Sequence, residues 1–196
     1  KAVAHLSKQM AIRMGMSPEL VAMTYTAGLL HDIGKVVSPY QKNVKKCTTL
    51  DDFADPNNGY PFHHEIGWAF LTTKLGDVNL LNTVYWHHAR PKHDFKTRQS
   101  NDASLILSKV SPEDIKALEK MFQSLDIDPL FLGNLIPAPV AVPNLFYEDD
   151  STYNSNKNAE LMLIRSCVIS ADRYIATLPA QSLKPYAEGK NLIEVI

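Results

Sequence analysis

The chain has 196 residues, 45% of them hydrophobic and 21% charged, with a net charge of −1. That length suits one domain with an insertion, and the composition excludes a disordered, collagen-like or disulfide-stapled chain. The balanced charge excludes nucleic-acid binding by overall attraction, so any such contact has to come from a local basic patch.

Nearly every patterned stretch predicts helix. Ala2 to Met14 carries apolar residues at helical spacing. Ser17-Pro18-Glu19 opens a second helix with a capping hydroxyl, Pro at the first helical position and an acid in the first turn. It runs to about Ile33, where Gly34 helps to stop it. Val36 to Phe62 contains Pro39, Pro56, Gly59 and Pro61 and reads as a long irregular loop. His63 to Leu75 is helical, and Asp77 caps a further helix from Val78 to about His88. Arg90 to Asp102 is polar. Ser111-Pro112-Glu113-Asp114 opens a helix to about Leu125, and Ile136 to Asn158 is another long loop. Ala159 to Leu178 is a strong helix with Leu161, Ile164, Val168, Ala171 and Ile175 on one face. The tail from Pro179 is weakly helical at most. No strand ladder emerges, so the expected class is all-α.

No apolar run reaches membrane-spanning length. The two cysteines, Cys47 and Cys167, lack metal-type spacing and read as free thiols of a reducing, cytoplasmic compartment. The chain starts at Lys1 rather than Met, which leads us to expect a longer parent protein.

Candidates for one functional site are His5, His31, His63 or His64, the adjacent pair His87-His88, and the carboxylates Asp32 and Asp172. Each lies on, or at the end of, a predicted helix, and helices packed side by side can aim such groups into a shared core. Any single histidine on an apolar helix is usually a satisfied core residue; the argument rests on the set. Imidazole and carboxylate together favour Mn, Fe, Co, Ni or Zn over an all-oxygen magnesium site. A carboxylate can bridge two ions, and two ions about 3.5–4 Å apart can clamp the attacking and leaving oxygens of a phosphoryl transfer. Asp172, inside the apolar run Cys167 to Ile175, needs a metal, Arg173 as a partner, or an exposed position, because an uncompensated buried carboxylate is costly.

Gly28-Leu29-Leu30-His31-Asp32-Ile33-Gly34-Lys35 resembles the signature of the HD superfamily, and the series His5, His31-Asp32, His64, His87-His88, Asp172 is similar to its fuller pattern. The resemblance spans about residues 1–178, with 95–158 as an insertion and 179–196 as a tail or linker. It implies an all-helical HD bundle that hydrolyses phosphate esters with one or two divalent transition-metal ions. Carried over by position, His5, His31, Asp32 and Asp172 belong to the first metal. Asp32 bridges, and His64, His87 and His88 hold the second. The family motif puts its ligand directly before a Glu-Ile-Gly segment, here Glu65-Ile66-Gly67, which favours His64 over His63. Lys35 is either a positive charge beside the phosphate or a solvated helix-end lysine.

Three branches share features with the sequence. In the HD nuclease domain of CRISPR-associated type I helicase-nucleases, an aromatic-Gln pair follows the motif after four residues, as Tyr40-Gln41 does here, and an adjacent His pair is present. That likeness implies an antiviral nuclease acting on single-stranded DNA, with a helicase in the parent chain. Lys42, Lys45 and Lys46, with Arg90, Lys92, Lys96 and Arg98, would then guide the backbone; otherwise they are solvated loop charges. Phosphodiesterases of the HD-GYP type place Gly-Tyr-Pro after the His pair, whereas Gly59-Tyr60-Pro61 precedes it here. The third branch, the HDOD signalling module, has commonly lost its ligands. A small-nucleotide phosphohydrolase is a further alternative.

Overall fold

A computed structural model describes residues 1–46, 60–88, 102–132 and 152–190. In chain order its α-helices are α1 (Ala2–Arg13), α2 (Pro18–Leu30), α3 (Ser38–Lys46), α4 (His63–Leu71), α5 (Val78–Trp86), α6 (Ala103–Leu107), α7 (Pro112–Gln123), α8 (Thr152–Thr177) and α9 (Lys184–Ala187). Short 3-10 turns cover Ile33–Val36, Pro129–Phe131 and Ala180–Ser182. The class is all-α; among the described residues the only β-type pairing is an isolated bridge between Leu75 and Leu132. No helix among them is long and apolar enough to cross a membrane. The chain divides into two compact units, one comprising residues 1–31, 78–89 and 144–196 and the other 32–77 and 90–143.

The first unit holds α1, α2, α5, α8 and α9. Its opening hairpin follows from local chemistry. Gly15, at φ 69°, ends α1, with the Met16 amide donating back to the Ala11 carbonyl at 3.1 Å. Ser17 then caps α2 by accepting from the Leu20 amide at 3.3 Å, with Pro18 at the first helical position. The hairpin closes tightly at Gly28, where a Cβ would stand 2.7 Å from the Ala4 Cα and 2.8 Å from the Ser7 hydroxyl. Helix α8 packs against α1, α2 and α5. Leu161, Ile164, Val168 and Ala171 on its inner face are fully buried. Ile175 lies half-buried against the cluster of Val3, Leu6 and Tyr186. Cys167 is a buried free thiol, its pKa pushed up by burial.

The second unit holds the 3-10 turn Ile33–Val36, α3, α4, α6 and α7. The stretch expected as loop after Val36 is therefore partly helical. Its prolines misled because Pro39 sits in the first turn of α3, where no intrahelical N–H is required. The start of α3 is held from far along the chain. Asp114 of α7 accepts from the Ser38 amide and from the Ser38 hydroxyl, both at 2.7 Å. The Ser111 hydroxyl adds a third bond at 3.0 Å. Burial pushes the Asp114 pKa up, but these bonds and nearby Lys42 outweigh it and hold the carboxyl below its ordinary value. Helix α6 packs on α4 and α7 on the 3-10 turn, so this part of the segment read as an insertion builds the unit.

Candidate metal centre

The break between α2 and the 3-10 turn creates the His31-Asp32 pair. His31 is the residue just past α2, and Asp32 adopts φ −106° before the turn begins. The helix was expected to run on to Ile33; it stops at Leu30.

In the first unit, two buried imidazoles share one arrangement. His31 Nδ1 donates to the Gly28 carbonyl at 2.9 Å, and His87 Nδ1 donates to the Val84 carbonyl at 2.7 Å. Both histidines follow the last residue of a helix, where the final carbonyls lack intrahelical donors. A carbonyl can only accept, so each Nδ1 carries the proton and, in the neutral ring, Nε2 presents its lone pair. The two rings meet edge to face with centroids 5.2 Å apart. His31 Nε2 lies 3.4 Å from Asp172 Oδ1 on α8, where Asp172 is about a third exposed and Arg173 is exposed. His88 lies against His87, with ring centroids 4.1 Å apart. Arg165, buried on α8, donates to the Trp86 carbonyl at 3.1 Å and so holds the end of α5 just before His87. Burial pushes its guanidinium pKa down.

In the second unit, Asp32 Oδ1 lies 3.4 Å from His63 Nε2, and Asp32 Oδ2 accepts from the Lys35 ammonium at 2.8 Å. His63 is buried and opens α4, whose first turn is braced by Glu65 accepting from the Phe62 amide at 2.8 Å. The approach depends on Gly34: a Cβ there would overlap the His63 carbonyl and stand 3.0 Å from the Gly67 amide nitrogen.

The structure thus brings His63, rather than His64, to Asp32. Consecutive helical residues point about 100° apart, and His64 instead stacks on Phe62 with ring planes 7° apart. His5 is also placed elsewhere. It packs against Tyr25, and a Cβ on Gly189 would stand 2.7 Å from its Nδ1. Burial, foremost, pushes its pKa down. Among the described residues, the side chains in groups able to hold a metal ion are His31, His87, His88 and Asp172 of the first unit and Asp32 and His63 of the second. Lys42 is exposed on α3; Arg90 and Lys92 lie outside the described residues, as do Lys96, Arg98 and Cys47. Sequence reasoning gave no role to Arg165. A lone arginine in an apolar helix pattern was the available signal.

His63→Ala should lower metal affinity by at least about tenfold, the scale on which metal sites respond to loss of a supporting group. His64→Ala should change it by less than about twofold. Titration of both variants with Mn²⁺ checks this; the reverse order would transfer the ligand role to His64.

The donor set suits a divalent transition metal. It is nitrogen and oxygen only, and two of its imidazoles have their tautomer fixed by backbone carbonyls, as metal-bound histidines do. The HD domain family model matches residues 1–124. Neither the curated proteins nor the solved structures gave a match. The match covers more than half of the chain and contains the His31-Asp32 pair, so the protein belongs to the HD domain superfamily of metal-dependent phosphohydrolases.

Proposed function

We propose that the chain is a metal-dependent phosphodiesterase that cuts single-stranded DNA, and that His31, Asp32, His63, His87, His88 and Asp172 hold one or two divalent ions. The observation that carries the metal is the pair of Nδ1–carbonyl bonds at His31 and His87, which present two buried Nε2 lone pairs. Asp32 follows His31 directly in the sequence.

A bound divalent ion supplies Lewis-acid polarisation of the phosphodiester and lowers the pKa of an attacking water. The protein's own residues do the rest. Asp32 and Asp172 contribute the negative charge that neutral imidazoles lack. Lys35 brings an ammonium to the motif, where it can neutralise charge developing on phosphate oxygens. Its contact with Asp32 leaves it about a third exposed and within reach of solvent.

The DNA reading is favoured by the spacing from Lys35 to Tyr40-Gln41 and by the adjacent His87-His88 pair. Exposed Lys42, with Arg90 and Lys92, is assigned to the backbone, and a helicase in the parent chain would deliver the strand. A nuclease holding several phosphates should bind with a steep salt dependence, about −0.7 in log–log slope for each phosphate neutralised on a single strand. Replacing Arg90 and Lys92 together by Ala should flatten that slope by about 0.7–1.4 while leaving metal content unchanged. The measurement is titration of a labelled oligonucleotide at several salt concentrations, paired with cleavage of a long single strand. No cleavage of the strand, alongside efficient hydrolysis of a mono- or cyclic dinucleotide, overturns the nuclease reading and favours a small-nucleotide phosphohydrolase. No metal uptake and no hydrolysis would favour a signalling module.

A further inference from the structure

The Asp32 carboxylate is met on one oxygen by His63 and on the other by Lys35. Each of these neighbours is braced by one of two consecutive residues of α3. Tyr40 is fully buried. Its ring meets that of His63 edge to face, with centroids 5.4 Å and planes 82° apart. Its hydroxyl donates to the Pro61 carbonyl at 3.1 Å, two residues before His63. Gln41, next in sequence and exposed, donates its side-chain amide to the Lys35 carbonyl at 2.7 Å.

Backbone accounting explains why both braces are needed. A carbonyl in Lys35's place would ordinarily accept from the amide three or four residues on. Here the Ser38 amide donates to Asp114, and Pro39 has no N–H. Gln41 supplies the donor that the turn does not. His63 is the first residue of α4, where a backbone N–H has no intrahelical acceptor. Tyr40 holds both the chain entering that turn and the face of the imidazole.

We propose that Tyr40 and Gln41 are positioning residues of the metal centre, Tyr40 acting through His63 and Gln41 through Lys35. The inference rests on the reading in which Asp32 and His63 hold metal. If Tyr40 merely filled the core and Gln41 merely decorated the surface, their replacement would lower stability without regard to which of the two neighbours was present.

The test is a pair of double-mutant cycles, read by calorimetric titration with Mn²⁺ and by hydrolysis of bis(p-nitrophenyl) phosphate. Tyr40→Leu should raise the Mn²⁺ Kd roughly tenfold, and this loss should vanish in a His63→Ala background. Tyr40→Phe, which keeps the ring, should retain most of the affinity. Gln41→Ala should lower kcat by about three- to tenfold with Mn²⁺ affinity unchanged, and should have no further effect once Lys35→Ala is present. Losses that persist in full in the His63→Ala and Lys35→Ala backgrounds overturn the proposal. Should Tyr40→Leu fail to fold, Tyr40→Phe and the Gln41 cycle decide. Absence of Mn²⁺ uptake by the unaltered protein would instead defeat the metal reading, and the proposal with it.

Discussion

Asp32→Ala should abolish phosphate-ester hydrolysis and strip the protein of most of its metal. The side chain contributes the carboxylate of the His31-Asp32 pair, touches His63 at 3.4 Å and accepts from Lys35 at 2.8 Å. Its loss removes charge compensation from a donor set otherwise dominated by neutral imidazoles. A metal ion contributes several kcal/mol to stabilising a transition state, so turnover should fall by about a thousandfold or more. The fold should survive, because the Asp32–Lys35 pair is about a third exposed on each side, and pairs that exposed contribute roughly 0–1 kcal/mol. Elemental analysis after reconstitution with manganese, run beside a melting curve, separates the two effects. Lys35→Ala is the contrast: it should keep the metal and slow turnover. Near-normal turnover by Asp32→Ala would show that the site has been assigned to the wrong residues.

Gly34→Ala acts by geometry rather than charge. The added methyl would overlap the His63 carbonyl and press on the Gly67 amide. Both are backbone atoms, which cannot swing aside as a flexible side chain does. Overpacking of that kind typically costs 1–3 kcal/mol, and a rigid obstacle puts Gly34→Ala at about 3 kcal/mol or more. For a chain of this size that is roughly a 6–12 °C fall in melting temperature. Relief requires α4 to move away from the 3-10 turn, carrying His63 from Asp32, so metal affinity should fall in step. A variant that melts normally and binds Mn²⁺ normally would mean that the close approach is not what places His63.

The sequence disclosed most where chemistry and local rules agreed. Ser17-Pro18-Glu19 and Ser111-Pro112-Glu113 mark helix starts in sequence and cap α2 and α7 in the structure. Leu161, Ile164, Val168 and Ala171 follow the helical period and are buried. The His31-Asp32 motif was legible because two polar residues after an apolar run need a purpose. What was not legible depended on distant contacts. Nothing local shows that Asp114 caps α3, so the prolines around it read as loop. Nothing local separates His63 from His64 either; the choice follows from Gly34 admitting the backbone of α4 at one register. His5 matched a pattern of spacing, yet spacing cannot reveal that Tyr25 and Gly189 enclose its ring.

The cap on α3 also has a timetable. Ser38 and Asp114 are 76 residues apart, and a ribosome adding about 5–20 residues per second needs roughly 4–15 s to cover that distance. At the start of that interval the nascent chain already carries His31, Asp32 and Lys35, and His63, His87 and His88 are added during it, while the first turn of α3 has only water to accept from its amide. Until the Ser111–Asp114 segment emerges, the start of α3 lacks its side-chain cap, and the half-made second unit is open to proteases and to chaperone capture.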